Sequence, residues 1–124
     1  MSNVATKLGA IQDLAKEVQF VSEQTHEVNA FVVGRYQSTL SASSFKAANP
    51  SLQNETVTAG SFDDVISNQE NLDSSGAWSN LRTYLEENLS NVVLLKTGST
   101  RREVYAVGLL DGHIVGVRSF AVET

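Results

Sequence analysis

The stretch Glu103-Val104-Tyr105-Ala106-Val107-Gly108-Leu109-Leu110-Asp111-Gly112-His113-Ile114-Val115-Gly116 decides the fold. Val104 to Leu109 alternates, with Tyr105, Val107 and Leu109 on one face, as a strand with two distinct sides requires. Asp111-Gly112 then marks a two-residue hairpin. A type I′ turn needs positive φ at both central residues, and Asp-Gly tolerates that. The return strand is expected from about His113 to Ala121. Upstream, Val92 to Lys96 is a short apolar run, followed by Gly98-Ser99-Thr100 as a turn. The C-terminal third therefore reads as a three-stranded antiparallel meander.

A meander with an apolar face must be covered, and helical periodicities supply the cover. Trp78, Leu81, Leu85 and Leu89 fall three or four residues apart, with Tyr84 close to the same face. Ser61-Phe62-Asp63-Asp64 opens another helix. Its serine suits an N-cap and its aspartates suit the positive end of the helix dipole. Residues 67–76 read as a polar loop ending at Gly76. Val4, Leu8, Ile11, Ala15 and Val18 share one face of a first helix, expected from near Ser2 to before Ser22. Ala30 to Tyr36 and Glu55 to Ala59 read as strands. Between them, residues 37–54 are rich in Ser and Asn and read as a long loop, with an edge strand around Leu40 to Phe45. The sum is an α+β layered domain spanning residues 1–124, with no internal repeat.

Composition narrows the function. The 124 residues suit one domain of ordinary size. Hydrophobic residues make up 41% and charged residues 19%, a globular profile. The chain has no cysteine, which removes disulfides, thiolate metal sites and a thiol nucleophile together. No apolar run approaches the roughly 18–20 residues that span a bilayer, and Met1 to Gln19 lacks the pattern of a signal peptide. A cytoplasmic protein without a membrane partner is expected, so the triplets Asn54-Glu55-Thr56 and Asn88-Leu89-Ser90 carry no glycosylation reading. Nine basic against fourteen acidic residues give a net charge of −5. Direct nucleic-acid binding calls for the opposite balance. The acidity is either ordinary solubility charge or a surface matched to a basic partner.

Most enzymatic signatures are missing. His26 and His113 are the only histidines, and neither lies in a metal-binding spacing. Gly108, Gly112 and Gly116 form no phosphate loop; strand twist, turn geometry and close packing account for them. Arg101-Arg102, with Arg118 on a neighbouring strand, lacks the interleaved aromatics of a nucleic-acid patch. Glu86-Glu87 reads as a solvated helix face. Trp78 reads first as a core residue, with a rim contact for a partner as the alternative. No nucleophile–base pair is visible, so an enzyme is not expected.

Two stretches carry a resemblance. Val18-Gln19-Phe20-Val21-Ser22-Glu23-Gln24 leads into the strand around Phe31. Glu103 to Gly108, Gly112, and Gly116-Val117-Arg118-Ser119 lead to the closing Val122-Glu123-Thr124. Together they resemble the nuclease A inhibitor family, small acidic bacterial proteins that block a magnesium-dependent, sugar-non-specific nuclease. The resemblance covers most of the chain, with residues 37–77 matching only loosely.

The resemblance implies a three-layer α/β/α sandwich with a mostly antiparallel sheet. It implies a protein inhibitor of a non-specific DNA/RNA endonuclease, with no cofactor of its own. Glu23 matches the family's inhibitory glutamate. Thr124 matches the terminal threonine whose carboxylate reaches the catalytic magnesium of the nuclease. Ser22 and Glu123 flank these two, and Trp78 joins them as a candidate contact. Glu23 and Thr124 would be metal ligands only toward the partner's magnesium, which takes hard oxygen ligands. The chain is then expected to end at Thr124. Without the resemblance, Glu23 reads as a surface carboxylate and the terminus as a frayed end. The chain departs from the family at Thr25-His26-Glu27-Val28, where an aromatic-Pro pair is usual, and in the Ser- and Asn-rich region from Gln69 to Trp78. An interaction or regulatory module on the same fold, without inhibition, is the alternative.

Overall fold

A computed structural model describes residues 3–33, 40–52, 54–98 and 101–122. The order is α1 (Asn3–Ala15), β1 (Gln19–Val21), β2 (Thr25–Glu27), β3 (Asn29–Val33), α2 (Ala42–Ala48), a 3-10 turn (Pro50–Leu52), β4 (Val57–Gly60), α3 (Phe62–Leu72), α4 (Ala77–Asn88), β5 (Ser90–Thr97), β6 (Arg101–Leu110) and β7 (His113–Val122). The fold is mixed α+β, with two antiparallel sheets. One is the β1–β2 hairpin. The other has five strands in the order β3-β7-β6-β5-β4.

The meander is present as expected. β6 and β7 pair from Arg101↔Val122 to Leu110↔His113. Their turn holds Asp111 at φ 50° and Gly112 at φ 79°, the two positive values that type I′ needs. Gly116 is fixed by crowding, since a Cβ there would lie 2.0 Å from the Ala106 carbonyl oxygen. At Gly108 a Cβ would lie 2.7 Å from the Leu89 Cβ, where α4 enters β5. The close-packing reading of these glycines holds.

Alternation along the strands divides the core. Leu94, Val104, Ala106, Val115 and Val117 pack with Ile11 of α1, Ile66 of α3, and Trp78, Leu81 and Leu85 of α4. Their neighbours Leu95, Tyr105, Val107 and Ile114 pack with Phe45 and Ala48 of α2 and with Leu52.

Four expectations change. The first helix ends at Ala15, and Gln19–Val21, expected within its span, form strand β1. The edge strand around Leu40 to Phe45 is instead helix α2. Its serines form a capping box: the Ser44 N–H donates to Ser41 Oγ at 3.2 Å, and the Ser41 N–H donates to Ser44 Oγ at 2.9 Å. Phe45 is 0% exposed and lies 4.7 Å from the Tyr105 ring, centroid to centroid. The polar loop expected over residues 67–76 starts six residues later, because α3 continues to Leu72. His26, expected in a loop, lies in β2. The expected end of the Ala30 to Tyr36 strand and the turn residues Ser99 and Thr100 lie outside the described residues.

Among the described residues, no helix is long and apolar enough to cross a membrane.

Candidate functional site

The candidate site is the tip of the β1–β2 hairpin. Gln19 pairs with Glu27, Phe20 with His26 and Val21 with Thr25, leaving Ser22-Glu23-Gln24 as the connection. The Ser22 N–H and Oγ–H both reach the Gln24 carbonyl at 3.0 Å, closing the tip on itself. Glu23 is exposed at its apex. A two-stranded hairpin of this length is marginal alone. Here four anchors hold it.

The first anchor is Gln69 of α3, a buried amide at 2% exposure. Its Oε1 accepts the Val21 N–H at 2.9 Å and its Nε2 donates to the Val21 carbonyl at 2.9 Å. The side chain thus acts as a short extra strand beside β1. The second is Trp78, whose indole N–H donates to the Gln19 carbonyl at 2.8 Å. Its ring meets Phe20 edge-on, with centroids 6.4 Å apart. The third is Ser119 of β7, whose hydroxyl donates to the Glu27 carbonyl at 2.7 Å. The fourth joins the tip to the end of β7. The Val122 N–H donates to Ser22 Oγ at 3.0 Å, and the Glu23 N–H donates to the Val122 carbonyl at 3.4 Å.

The candidates fall into three groups. Glu23 and Ser22 sit side by side, and Ser22 acts by holding the tip to β7. Trp78 is 3% exposed and its side chain packs in the core, the first of its two readings. Glu123 and Thr124 lie outside the described residues. The last described residue, Val122, is hydrogen-bonded to Glu23.

Gln69, Asp73 and Ser119 were not picked out from the sequence. Gln69 has a signal: it falls three residues after Ile66, on the buried side of α3. Asp73 caps the next helix, where Gly76 in the N-cap position offers no side chain. Its carboxylate accepts from the Ser75 hydroxyl at 2.6 Å, the Ser75 N–H at 2.9 Å and the Trp78 N–H at 2.9 Å. These bonds, the Ser75 hydroxyl first, hold its pKa below the ordinary 3.8. This cap also sets the start of α4 and with it Trp78 under the hairpin.

Arg82 and Arg118 are tied into the scaffold. Arg82 of α4 binds Glu70 at 2.9 Å, Glu86 at 3.5 Å and also Asp63, bracing α3 against α4. Arg118 pairs with Glu103 at 2.6 Å, and the Tyr105 hydroxyl donates to the same carboxylate at 2.5 Å. Burial, then the hydrogen bond to Glu103, pushes the Tyr105 pKa well above its ordinary value. The His113 ring lies 3.2 Å, through Nδ1, from the Val33 carbonyl. The His26 ring lies 5.8 Å from that of Phe120. Among the described residues no three His, Asp or Glu side chains converge as a metal-ligand set.

The arrangement can present one carboxylate on a backbone that is already ordered. Binding through such a tip loses little conformational entropy.

Comparison with protein-family models and with curated proteins returns no match.

Proposed function

We propose that this chain is a protein inhibitor of a magnesium-dependent, non-specific DNA/RNA endonuclease, as its resemblance to the nuclease A inhibitor family implies. It does no chemistry of its own. Glu23 and the α-carboxylate of Thr124 occupy the place of substrate phosphate at the nuclease's catalytic magnesium. Mg²⁺ is bound by few protein carboxylates and keeps positions for water and phosphate, so an incoming carboxylate competes there. The net charge of −5 favours approach to a cleft built to hold a polyanion.

One observation carries the reading. The Glu23 tip is hydrogen-bonded to Val122, two residues before Thr124. In this reading the second carboxylate, that of Thr124, follows two residues after this contact in the sequence. The same reading includes a three-layer α/β/α sandwich, supported by the packing of α1, α3 and α4 with one set of sheet residues and of α2 with the alternate set. It also includes a cytoplasmic location.

The test is a nuclease assay. The untagged chain is mixed in molar excess with a magnesium-dependent non-specific nuclease from the same organism, and DNA degradation is followed. Inhibition that saturates near one equivalent is expected. Undiminished cleavage removes that nuclease as the target. Recovery of a different stable partner, with no nuclease, from the same extract favours the interaction-module reading.

A further inference from the structure

Beside the Glu23 tip, the hairpin and α3 enclose a hollow of about 460 Å³. Val21 and Glu23 line it from the hairpin, Asp64, Val65 and Asn68 from α3, and Lys96 and Val122 from the sheet. Past Gln69 a second hollow of about 320 Å³ continues between β1 and the end of α3, with Val21 and Leu72 on its rim. Asp64, Asn68 and Leu72 are spaced by four residues and therefore form one stripe along α3. All three are exposed, Leu72 by 57%, and Val21 between them and the tip is 36% exposed. Two of the four exposed large hydrophobic residues among those described thus flank a single strip that starts at Glu23. Exposed apolar residues gathered in this way mark interaction surfaces.

The charges say what the strip fits. The two hollows are lined by Glu17, Glu23, Asp64 and Asp73 against Lys16 and Lys96. A basic surface complements that excess. A nuclease that grips phosphates has such a surface around its metal. The Arg82 ion pairs with Asp63 and Glu70 tie α3 to α4 behind this wall.

We infer that the α3 stripe Asp64–Asn68–Leu72, with Val21, is the second wall of the nuclease-docking surface. It receives a basic side chain of the nuclease between Glu23 and Asp64, and an apolar side chain against Val21 and Leu72. This rests on the inhibitor reading and extends it from a metal-directed tip to a specificity surface.

The experiment compares inhibition constants of the unaltered chain with those of Asp64→Lys, Leu72→Ser, Asn68→Trp and a control, Glu87→Lys. Glu87 is exposed on α4 and lies outside both hollows. Circular dichroism confirms that each variant is folded. Asp64→Lys and Asn68→Trp are expected to weaken inhibition about tenfold or more, Leu72→Ser several-fold, and Glu87→Lys less than about threefold. Equal effects of Asp64→Lys and Glu87→Lys reduce the strip to general charge and overturn the inference while the inhibitor reading stands. Unchanged inhibition by Asn68→Trp and Leu72→Ser does the same. If Leu72→Ser abolishes self-association seen in sedimentation and leaves inhibition intact, the strip is an interface between two copies, and the inference falls. No inhibition by the unaltered chain overturns the inhibitor reading and this inference with it.

Discussion

The backbone N–H of Glu23 donates to the carbonyl of Val122 across 3.4 Å, and the Val122 N–H returns a bond of 3.0 Å to Ser22 Oγ. This pair of contacts ties a hairpin tip in the first quarter of the chain to the last described strand. It holds the backbone that carries the Glu23 carboxylate.

Glu23→Ala and Glu23→Gln are both expected to weaken nuclease inhibition by about 10- to 100-fold, the range of a central hot-spot residue. Gln keeps the size of the side chain and loses the charge, so equal losses point to the carboxylate itself. Adding one residue after Thr124 moves the other proposed carboxylate and is expected to cost as much. Thermal stability should change little in the two Glu23 variants, because Glu23 is exposed. Inhibition assays beside thermal melts check this.

Gln69→Leu removes both bonds to Val21 while keeping a side chain of similar length. Leaving the part-buried Val21 N–H and carbonyl without this partner costs about 1–3 kcal/mol. For a chain of this size that lowers Tm by roughly 3–12 °C. Because Gln69 is a positioning residue, amide hydrogen exchange at Val21, Ser22 and Glu23 should speed up more than exchange in β6. Uniform acceleration across the sheet would mean that Gln69 contributes only to global stability.

Phe45→Ala tests the α2 assignment. A fully buried phenylalanine truncated to alanine typically costs about 3–5 kcal/mol. Phe45 lies on the sheet face opposite Trp78, so a folded variant at low temperature should still inhibit. A melting temperature unchanged by the substitution would be incompatible with α2 packed on Tyr105.

Asp73→Asn should lower Tm by a few degrees at neutral pH and weaken the start of α4. The folded-state pKa of Asp73 lies below the ordinary 3.8. A depressed carboxylate pKa adds stability that is present above the unfolded value and lost as pH falls through the folded value. The gap in Tm between the native chain and Asp73→Asn should therefore be full above about pH 5 and shrink below 3.8. Melts from pH 7 to pH 2.5 read this directly; a gap that widens in acid would contradict the cap.

What the sequence made legible was what hydrophobic periodicity and turn chemistry encode. Asp111-Gly112 placed the β6–β7 hairpin, and Trp78, Leu81 and Leu85 placed α4. One helix and the second half of another are obscured by polar residues with structural jobs. The serines that read as loop at 41–44 are the capping box of α2. In α3, Ser67-Asn68-Gln69-Glu70-Asn71 breaks the apolar pattern because the buried position after Ile66 is a glutamine that bonds to a strand. Glu23 was reached by resemblance alone. Its neighbourhood depends on contacts with Gln69 and Val122, 46 and 99 residues away, which no local pattern encodes.

The central claim is that Glu23 and Thr124 reach the nuclease's metal. Replacing that magnesium with paramagnetic Mn²⁺ and recording NMR spectra of the labelled chain in the complex tests it most directly. Resonances of Glu23 and Thr124 should broaden beyond detection, while those of Phe45 and Ala48 in α2 should stay sharp. Sharp Glu23 and Thr124 signals in a complex that still blocks cleavage would contradict the account.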